Sequence, residues 1–481
     1  MSLKRKLRRT TVWWRRYSTR WTAEQIGVMR RRTATLVGAI LLGLAALGFA
    51  WLSDGAQALF ATITRAWSYA PLVMTPAIFA TGIWVTNRFA RETRGSGIPQ
   101  VIAACRAPDS PEMRPLVSVR TAISKLGLTC FLLLGGGSFG REGPTVQISA
   151  AIMTATHRLF RVPMTPGVLI AGGAAGVAAA FNTPLAGVTF AIEELAAAYE
   201  QRVAILAMGA VMIAGLVSLG IAGDYVYFGA MKDTLDLPMA LLIASVVGVV
   251  GGLLGGLFTR IVLALTGSNP PAWAKPFRAR PVLSAAGCGL VVAVLGVVTA
   301  GATFGTGYEA SRNLIEGEGQ APWFAPAKFL ATLASNVSGN PGGVFAPSLS
   351  VGAGIGDLLA PLFPGYSVGA IVVLGMVAYF AGVVRAPFTA IIIVSEATGS
   401  HGLILPLFIS ALLGDSASKL VCRTRLYHGL SLAFDRSRMA KRDAPPSDDQ
   451  SGSGDAGSGD AGPDGAGPAG AGPAGADKPA G

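Results

Sequence analysis

Long apolar stretches alternate with short breaks rich in Gly and Pro through most of the chain. Apolar segments of helical length fall near 35–52, 70–90, 117–135, 145–160, 168–180, 184–199, 203–222, 238–265, 282–302, 326–338, 346–361, 367–383, 387–398 and 402–421. Several are shorter than the ~20 residues that a straight bilayer crossing needs. Breaks fall at Gly140 to Pro144, Pro184, Gly339 to Pro347 and Pro387. The pattern predicts an all-α integral membrane protein of tilted, interrupted helices. Short, broken segments at matching places in two halves point to a transport site near mid-membrane.

The halves can be aligned by shifting the sequence 203 residues. Gly136 then meets Gly339, Gly140 meets Gly343, Pro144 meets Pro347, Pro184 meets Pro387 and Glu193 meets Glu396. Matches of Gly or Ala are cheap in a chain with 63 glycines. The two shared breaker prolines and the shared glutamate are not. Three regions follow: a basic N-terminus over 1–32, a transport domain over 33–440 with repeat halves near 33–235 and 236–440, and a tail over 441–481. The tail is Gly, Ala, Pro, Asp and Ser beyond residue 443, a composition that cannot bury apolar surface, and is expected to be disordered and cytoplasmic. It is too short to hold an added regulatory domain.

Hydrophobic residues make up 51% of the 481 and charged residues 14%, against about 25% charged in ordinary soluble domains. That leaves too few polar side chains to cover a soluble surface. Residues 1–32 carry eleven Lys and Arg against Glu24 alone, which is +10 of the net +13. A basic patch can bind nucleic acid. This one abuts the first apolar run, so it reads as a cytoplasmic flank, with no nucleic acid partner. Lys419, Arg423, Arg425 and Arg436 follow the last span, so both termini read as cytoplasmic and the number of crossings as even. The cysteines (Cys105, Cys130, Cys288, Cys422) and histidines (His157, His401, His428) are scattered. Neither disulfide nor metal spacing appears, and no cofactor is expected. No nucleophile–base set marks an enzyme.

Three breaks carry chemistry: Gly95-Ser96-Gly97-Ile98-Pro99, Gly140-Arg141-Glu142-Gly143-Pro144 and Gly343-Val344-Phe345-Ala346-Pro347. Each precedes an apolar helical run. Glycine allows close backbone approach and sharp turns; proline suits the first helical turn. A helix that starts inside a membrane presents free N–H groups and a positive dipole end. Three such ends would hold a small anion without a lysine or arginine. Weakly held halide fits, since it must also leave. A phosphate loop does not: Gly135-Gly136-Gly137-Ser138 lacks the Gly-Lys-Ser/Thr that should follow.

With these strings, and with FNTPLAGVTFAIEEL at 181–195, the sequence resembles the CLC family of chloride channels and proton/chloride antiporters over about residues 35–430, in its bacterial form without CBS domains. The resemblance implies a homodimer with one anion path per subunit and two inverted repeats. It implies a central chloride contacted by the hydroxyls of Ser96 and Tyr427 and the amides of Val344 and Phe345. Arg141 and Gly143, which flank Glu142, complete the expected chloride-binding set. Serine in GSGIP is the residue of chloride-preferring members, and nitrate-preferring members carry proline there. Fluoride-specific members depart from this serine and from the proline of GREGP. Gln100 is a mild departure, since many bacterial members have an acid there.

Two glutamates stand out. Ionised, Glu142 is a tethered anion that competes with chloride; protonated, it releases. It is expected to be gate and proton carrier together, and an intramembrane carboxylate is functional by default. Glu193 has a repeat mate, so it belongs to the shared architecture. Glu194 lies opposite Ala397 and is peculiar to its half. In antiporters of the resembled family the second glutamate of this string is the inner proton acceptor. The expected function is chloride/proton antiport in a cell inner membrane. A passive chloride channel on the same scaffold is the alternative, and a membrane-bound enzyme a remote one.

Overall fold

A computed structural model describes residues 23–195, 201–222, 228, 231, 235–268 and 270–442. The first 22 residues and the tail beyond Arg442 lie outside the described residues, and with them most of the basic N-terminus and the expectation of a disordered tail. Helices dominate. The one β feature among the described residues is an isolated antiparallel bridge between Gly140 and Gly343.

The first eight principal helices are α1 (Ala23–Ala66), α2 (Pro71–Phe89), α3 (Ile98–Arg106), α4 (Val119–Leu134), α5 (Glu142–Leu159), α6 (Pro166–Phe181), α7 (Pro184–Phe190) and α8 (Gln201–Ala222). The next eight repeat them: α9 (Leu237–Thr266), α10 (Pro281–Val298), α11 (Tyr308–Ile315), α12 (Phe324–Val337), α13 (Phe345–Leu359), α14 (Val368–Val384), α15 (Pro387–Thr398) and α16 (Ile404–Val421). A last helix, α17 (Leu426–Arg442), has no counterpart among the described residues. Packing repeats too. α1 lies against α6 and α8 as α9 lies against α14 and α16, and α5 lies on α6 as α13 lies on α14. The αL residues that end α6 and α14 are the repeat mates Asn182 and Arg385.

α6 and α14 are apolar all round, and so they are central. Gly167–Phe181 and Gly369–Val384 are buried without exception. α9 reaches α14 and α16 through small residues. A methyl on Gly252 would lie 2.6 Å from Gly414 Cα, one on Gly255 2.7 Å from the Gly382 carbonyl carbon, and one on Gly256 2.8 Å from the Ser418 carbonyl oxygen. Close backbone approach of this kind is how helices associate in hydrocarbon, where no hydrophobic force drives them together. Hydroxyls bond across the same seams: Ser418 Oγ donates to Gly382 O (2.6 Å) and Thr259 Oγ1 to Val383 O (3.1 Å). The outward faces carry Leu41, Leu44, Leu52, Leu253, Leu283, Leu290 and Val294. On a soluble protein so much exposed apolar surface would be a liability; against lipid it is the expected coat.

Four features differ from the sequence expectation. α1 is 44 residues long and begins inside the basic stretch, since nothing between Ala23 and Ala66 breaks it. The segment near 184–199 is not one helix: α7 ends at Phe190 and Ala191–Leu195 is wound as a π turn. α11 is too polar to register as an apolar run. α17 is basic and amphipathic, and hydropathy does not find it. Among the described residues, five helices are long and apolar enough to cross a membrane: Gln25–Ala66, Leu237–Thr266, Pro281–Val298, Phe345–Leu362 and Ile404–Val421. The other apolar helices are shorter. At 1.5 Å per residue the 16 residues of α6 span about 24 Å, less than the ~30 Å hydrocarbon core.

The α9–α16 seam gives a direct test. Gly252→Val forces a branched side chain into the Gly414 backbone, an overpacking that costs about 1–3 kcal/mol. Thermal unfolding in detergent should show a clear drop in midpoint. Gly220→Val, at a helical glycine with open space around it, should show almost none.

Candidate functional site

The starts of α3, α5 and α13 meet at one point. Gly140 and Gly343 exchange N–H···O bonds of 2.8 Å in both directions, and the Gly342 amide donates to Gly95 O at 3.1 Å. A methyl on Gly143 would lie 3.0 Å from Ser96 O and 3.2 Å from Gly343 Cα. Any side chain there would press on both backbones, so glycine suits this approach. Gly97, at φ +104, turns the chain into α3 with a backbone conformation that other residues rarely adopt. The residues that precede the three helices, Gly97, Arg141 and Val344, cap none of the first amides with a side chain. These starts therefore offer N–H groups to whatever acceptor arrives.

In this conformation the acceptor is the chain's own. Glu142 is fully buried. Its Oε2 accepts the Ala346 amide in the first turn of α13 at 3.3 Å, and its Oε1 accepts a short hydrogen bond from the Tyr308 hydroxyl of α11. The carboxylate of one repeat is thus bound at the helix start of the other. Arg141 turns elsewhere. Its Nη1 meets Asp54 Oδ1 at 2.7 Å and Ala50 O at 3.0 Å, both on α1, and its guanidinium stands 5.6 Å from the Tyr308 ring centroid. Its side chain therefore braces α1 and Tyr308, while Gly143 and Arg141 stay at the site through their main chain. A cavity of about 570 Å³ opens over Tyr308, lined by Gln57 and Phe60 near the C-terminal end of α1 and by Thr306 and Gly307.

Below Glu142 lie the residues expected to hold a central anion. Ser96 Oγ accepts the Ile98 amide at 3.3 Å, which leaves its own proton to donate elsewhere. The Tyr427 hydroxyl is buried and makes no hydrogen bond that satisfies it among the described residues; Ser96 is a polar neighbour, and both Glu142 and Glu194 act on it electrostatically. A buried hydroxyl without a partner is costly, so it is a donor in wait. Val344 is the residue before α13 and Phe345 its first. The Phe345 ring is held by Phe181, Phe190, Phe380 and Tyr427 at centroid distances of 6.0, 5.9, 4.9 and 6.1 Å.

The π turn sends neighbouring glutamates in different directions. Glu193 accepts the amides of Phe388 (3.1 Å) and Thr389 (2.6 Å) and the Thr389 hydroxyl (2.7 Å) at the start of α15. Its mate Glu396 accepts the Ala186 amide (3.3 Å) at the start of α7. Each repeat caps a helix of the other with the same residue, an electrostatic role at a dipole end. Glu194 turns inward, is fully buried, and has neither oxygen hydrogen-bonded among the described residues. His428 Nδ1 lies 3.4 Å from its Oε1.

Three participants escaped the sequence reading. Tyr308 sits on α11, whose first turn follows Gly305-Thr306-Gly307, a counterpart of Gly95-Ser96-Gly97; all four glycines have positive φ. Lys125 and Lys328 are fully buried and mated by the 203-residue shift, so the repeat comparison could have found them. Lys125 Nζ donates to Thr93 O (2.7 Å) and Gly95 O, and Lys328 Nζ to Thr303 O (3.0 Å) and Gly305 O (2.9 Å). Each lysine ties down the carbonyls of one glycine loop. His157 is a satisfied helix residue, bonded to Met153 O and Thr35.

Short helices that start opposite one another within an apolar helical body are the architecture of a membrane transport protein. The family model of the voltage gated chloride channel matches residues 77–419, and the chain belongs to that family. Its fold matches three solved structures. A slow cyanobacterial Cl⁻/H⁺ antiporter is 22% identical at a TM-score of 0.73, over 86% of this chain and 99% of that one. A eukaryotic CLC transporter is 24% identical at 0.68, over 85% and 74%. A CLC-type fluoride/proton antiporter is 22% identical at 0.71, over 86% and 99%. The architecture is accordingly that of CLC proteins, two inverted repeats in a multi-pass membrane protein.

Tyr308 yields a prediction. The hydrogen bond from its hydroxyl fixes the Glu142 carboxylate, which the sequence expects to compete with an incoming anion. Tyr308→Phe removes that bond, and bonds to charged groups contribute about 1.5–3 kcal/mol. Chloride should then bind roughly tenfold more tightly by calorimetry on purified protein. Unchanged affinity would remove Tyr308 from the gate.

Proposed function

We propose that the protein exchanges chloride for protons across a cell inner membrane, as a homodimer with both termini cytoplasmic, and is not an enzyme. The observation that carries this reading is the Glu142 carboxylate on the Ala346 amide. A carboxylate held there is an anion in the anion's place. When it takes a proton it loses the charge that the helix start favours and leaves, and chloride can follow. One side chain so couples the two ions on the outer half of the path.

The inner half separates them. Chloride passes Ser96, Tyr427 and the amides of Val344 and Phe345, where distributed dipoles bind it without trapping it. Protons pass through Glu194, buried off the anion route. That neither of its oxygens is hydrogen-bonded among the described residues favours antiport over a passive channel, since such a carboxylate is free to take and give a proton. Ser96 and Pro144 favour chloride over nitrate and fluoride, as the family resemblance implies.

Two variants test the division. Glu142→Gln is a permanent mimic of the protonated gate; chloride flux in liposomes should continue without proton coupling and without pH dependence. Glu194→Gln leaves the gate able to ionise, so chloride should still move while uphill proton pumping stops. Proton pumping by Glu194→Gln at the parental ratio would overturn the antiport assignment. Separately, Ser96→Pro removes a donor from the central site, and the preference for chloride over nitrate should weaken in flux competition. An unchanged preference would take Ser96 out of the site.

A further inference from the structure

We propose that His428 is the residue through which protons pass between water and Glu194; this rests on the assignment of Glu194 as inner proton acceptor. The need for such a residue is geometric. The Glu194 side chain has no exposure at all. Neither of its oxygens is hydrogen-bonded among the described residues. A carboxylate sealed in this way cannot exchange protons with water directly, so an acceptor placed there requires a carrier.

His428 has the geometry of a carrier. Its Nδ1 is buried and stands 3.4 Å from Glu194 Oε1, while its side chain is 38% exposed. One edge of the ring therefore faces the acid and the rest reaches solvent. The approach lies just outside hydrogen-bond geometry, as a group that must make and break a bond each cycle would. The other polar groups around Glu194 are Glu193, Arg425 and Tyr427. Glu193 is occupied by the amides of α15. Arg425 donates to Glu193 O at 3.2 Å, and a guanidinium has donors but no acceptor with which to take a proton. Tyr427 is wholly buried and has no route to water. Of the four, His428 alone combines contact with the acid, exposure and a ring with two nitrogens that can take up a proton at one and give it from the other.

The transfer balances without a co-reactant. A proton from water binds Nε2 of the neutral ring, and the Nδ1 proton passes to Glu194 Oε1. The ring is left neutral, with its proton on Nε2, and resets by a ring flip that turns the protonated nitrogen toward the acid. The reverse sequence returns a proton to water. The Nδ1 approach depends on α17, so that helix supplies the proton entry.

The test uses the full-length protein in liposomes, with uphill proton pumping driven by a chloride gradient. His428→Gln keeps the size and polarity of the side chain but cannot carry a proton. Its pumping rate should fall about tenfold or more, in keeping with the loss of a positioned proton-transfer group. His428→Ala should fall likewise, and added imidazole should restore it; packing damage would not respond to imidazole. Parental pumping by His428→Gln, or a loss in His428→Ala that imidazole does not relieve, overturns the proposal. Glu194→Gln run alongside separates the two claims. If it stops pumping while His428→Gln pumps normally, only the role of His428 fails. If Glu194→Gln itself pumps at the parental ratio, the acceptor assignment fails and takes this proposal with it.

Discussion

A helix that begins within a bilayer leaves amides that no water can reach, and they have to find an acceptor. That requirement organises this molecule. α5 and α13 start beside each other from mated glycines, Gly140 and Gly343, whose exchanged hydrogen bonds fix the two starts in antiparallel contact. The remaining N–H groups are an electropositive pocket without a formal charge. Such a pocket favours an anion but does not bind it as an arginine would, which is the condition for passage. Everything around it serves to hold the starts in place: the glycine-packed α9, the wholly buried α6 and α14, and two sealed lysines that anchor the glycine loops.

The duplication builds the scaffold, and its departures build the function. Glu193 and Glu396, Lys125 and Lys328, and the αL residues Asn182 and Arg385 do matched work in the two halves. The functional groups are the unmatched ones. Glu142 has Phe345 as its mate, so one helix start carries a charge that can be neutralised and the other an aromatic ring packed among four more. Glu194 has Ala397. Tyr308 stands opposite Ile98 in the glycine-loop correspondence, and α17, with Tyr427 and His428, has no mate among the described residues. A symmetric frame thus holds an asymmetric set of polar groups, on which the proposed gate and the proposed separate routes for proton and chloride rest.

How far this was legible depends on the range of the interaction. The membrane class, the breaks at residues 95–99, 140–144 and 343–347, and the 203-residue repeat are written locally in hydropathy and in Gly and Pro. So is the distinction between Glu193 and Glu194, because it needs only the repeat. Tyr308 was not legible: it meets Glu142 across 166 residues, from an eight-residue helix too polar to stand out. Arg141 was expected at the anion, but its guanidinium is claimed by Asp54 in a helix that hydropathy made too short. The π turn left no local signature, and His428 looked isolated because its neighbour is brought to it only by folding.

The central claim is that Glu142 and the transported anion share one place at the start of α13. Crystals of Glu142→Gln grown in bromide test it most directly, through anomalous scattering. The account predicts a bromide peak within hydrogen-bond distance of the Ala346 amide, with the introduced glutamine side chain displaced from it. Density for bromide only at Ser96 and Tyr427, with that amide still bonded to the glutamine's carbonyl oxygen or to nothing, would contradict it.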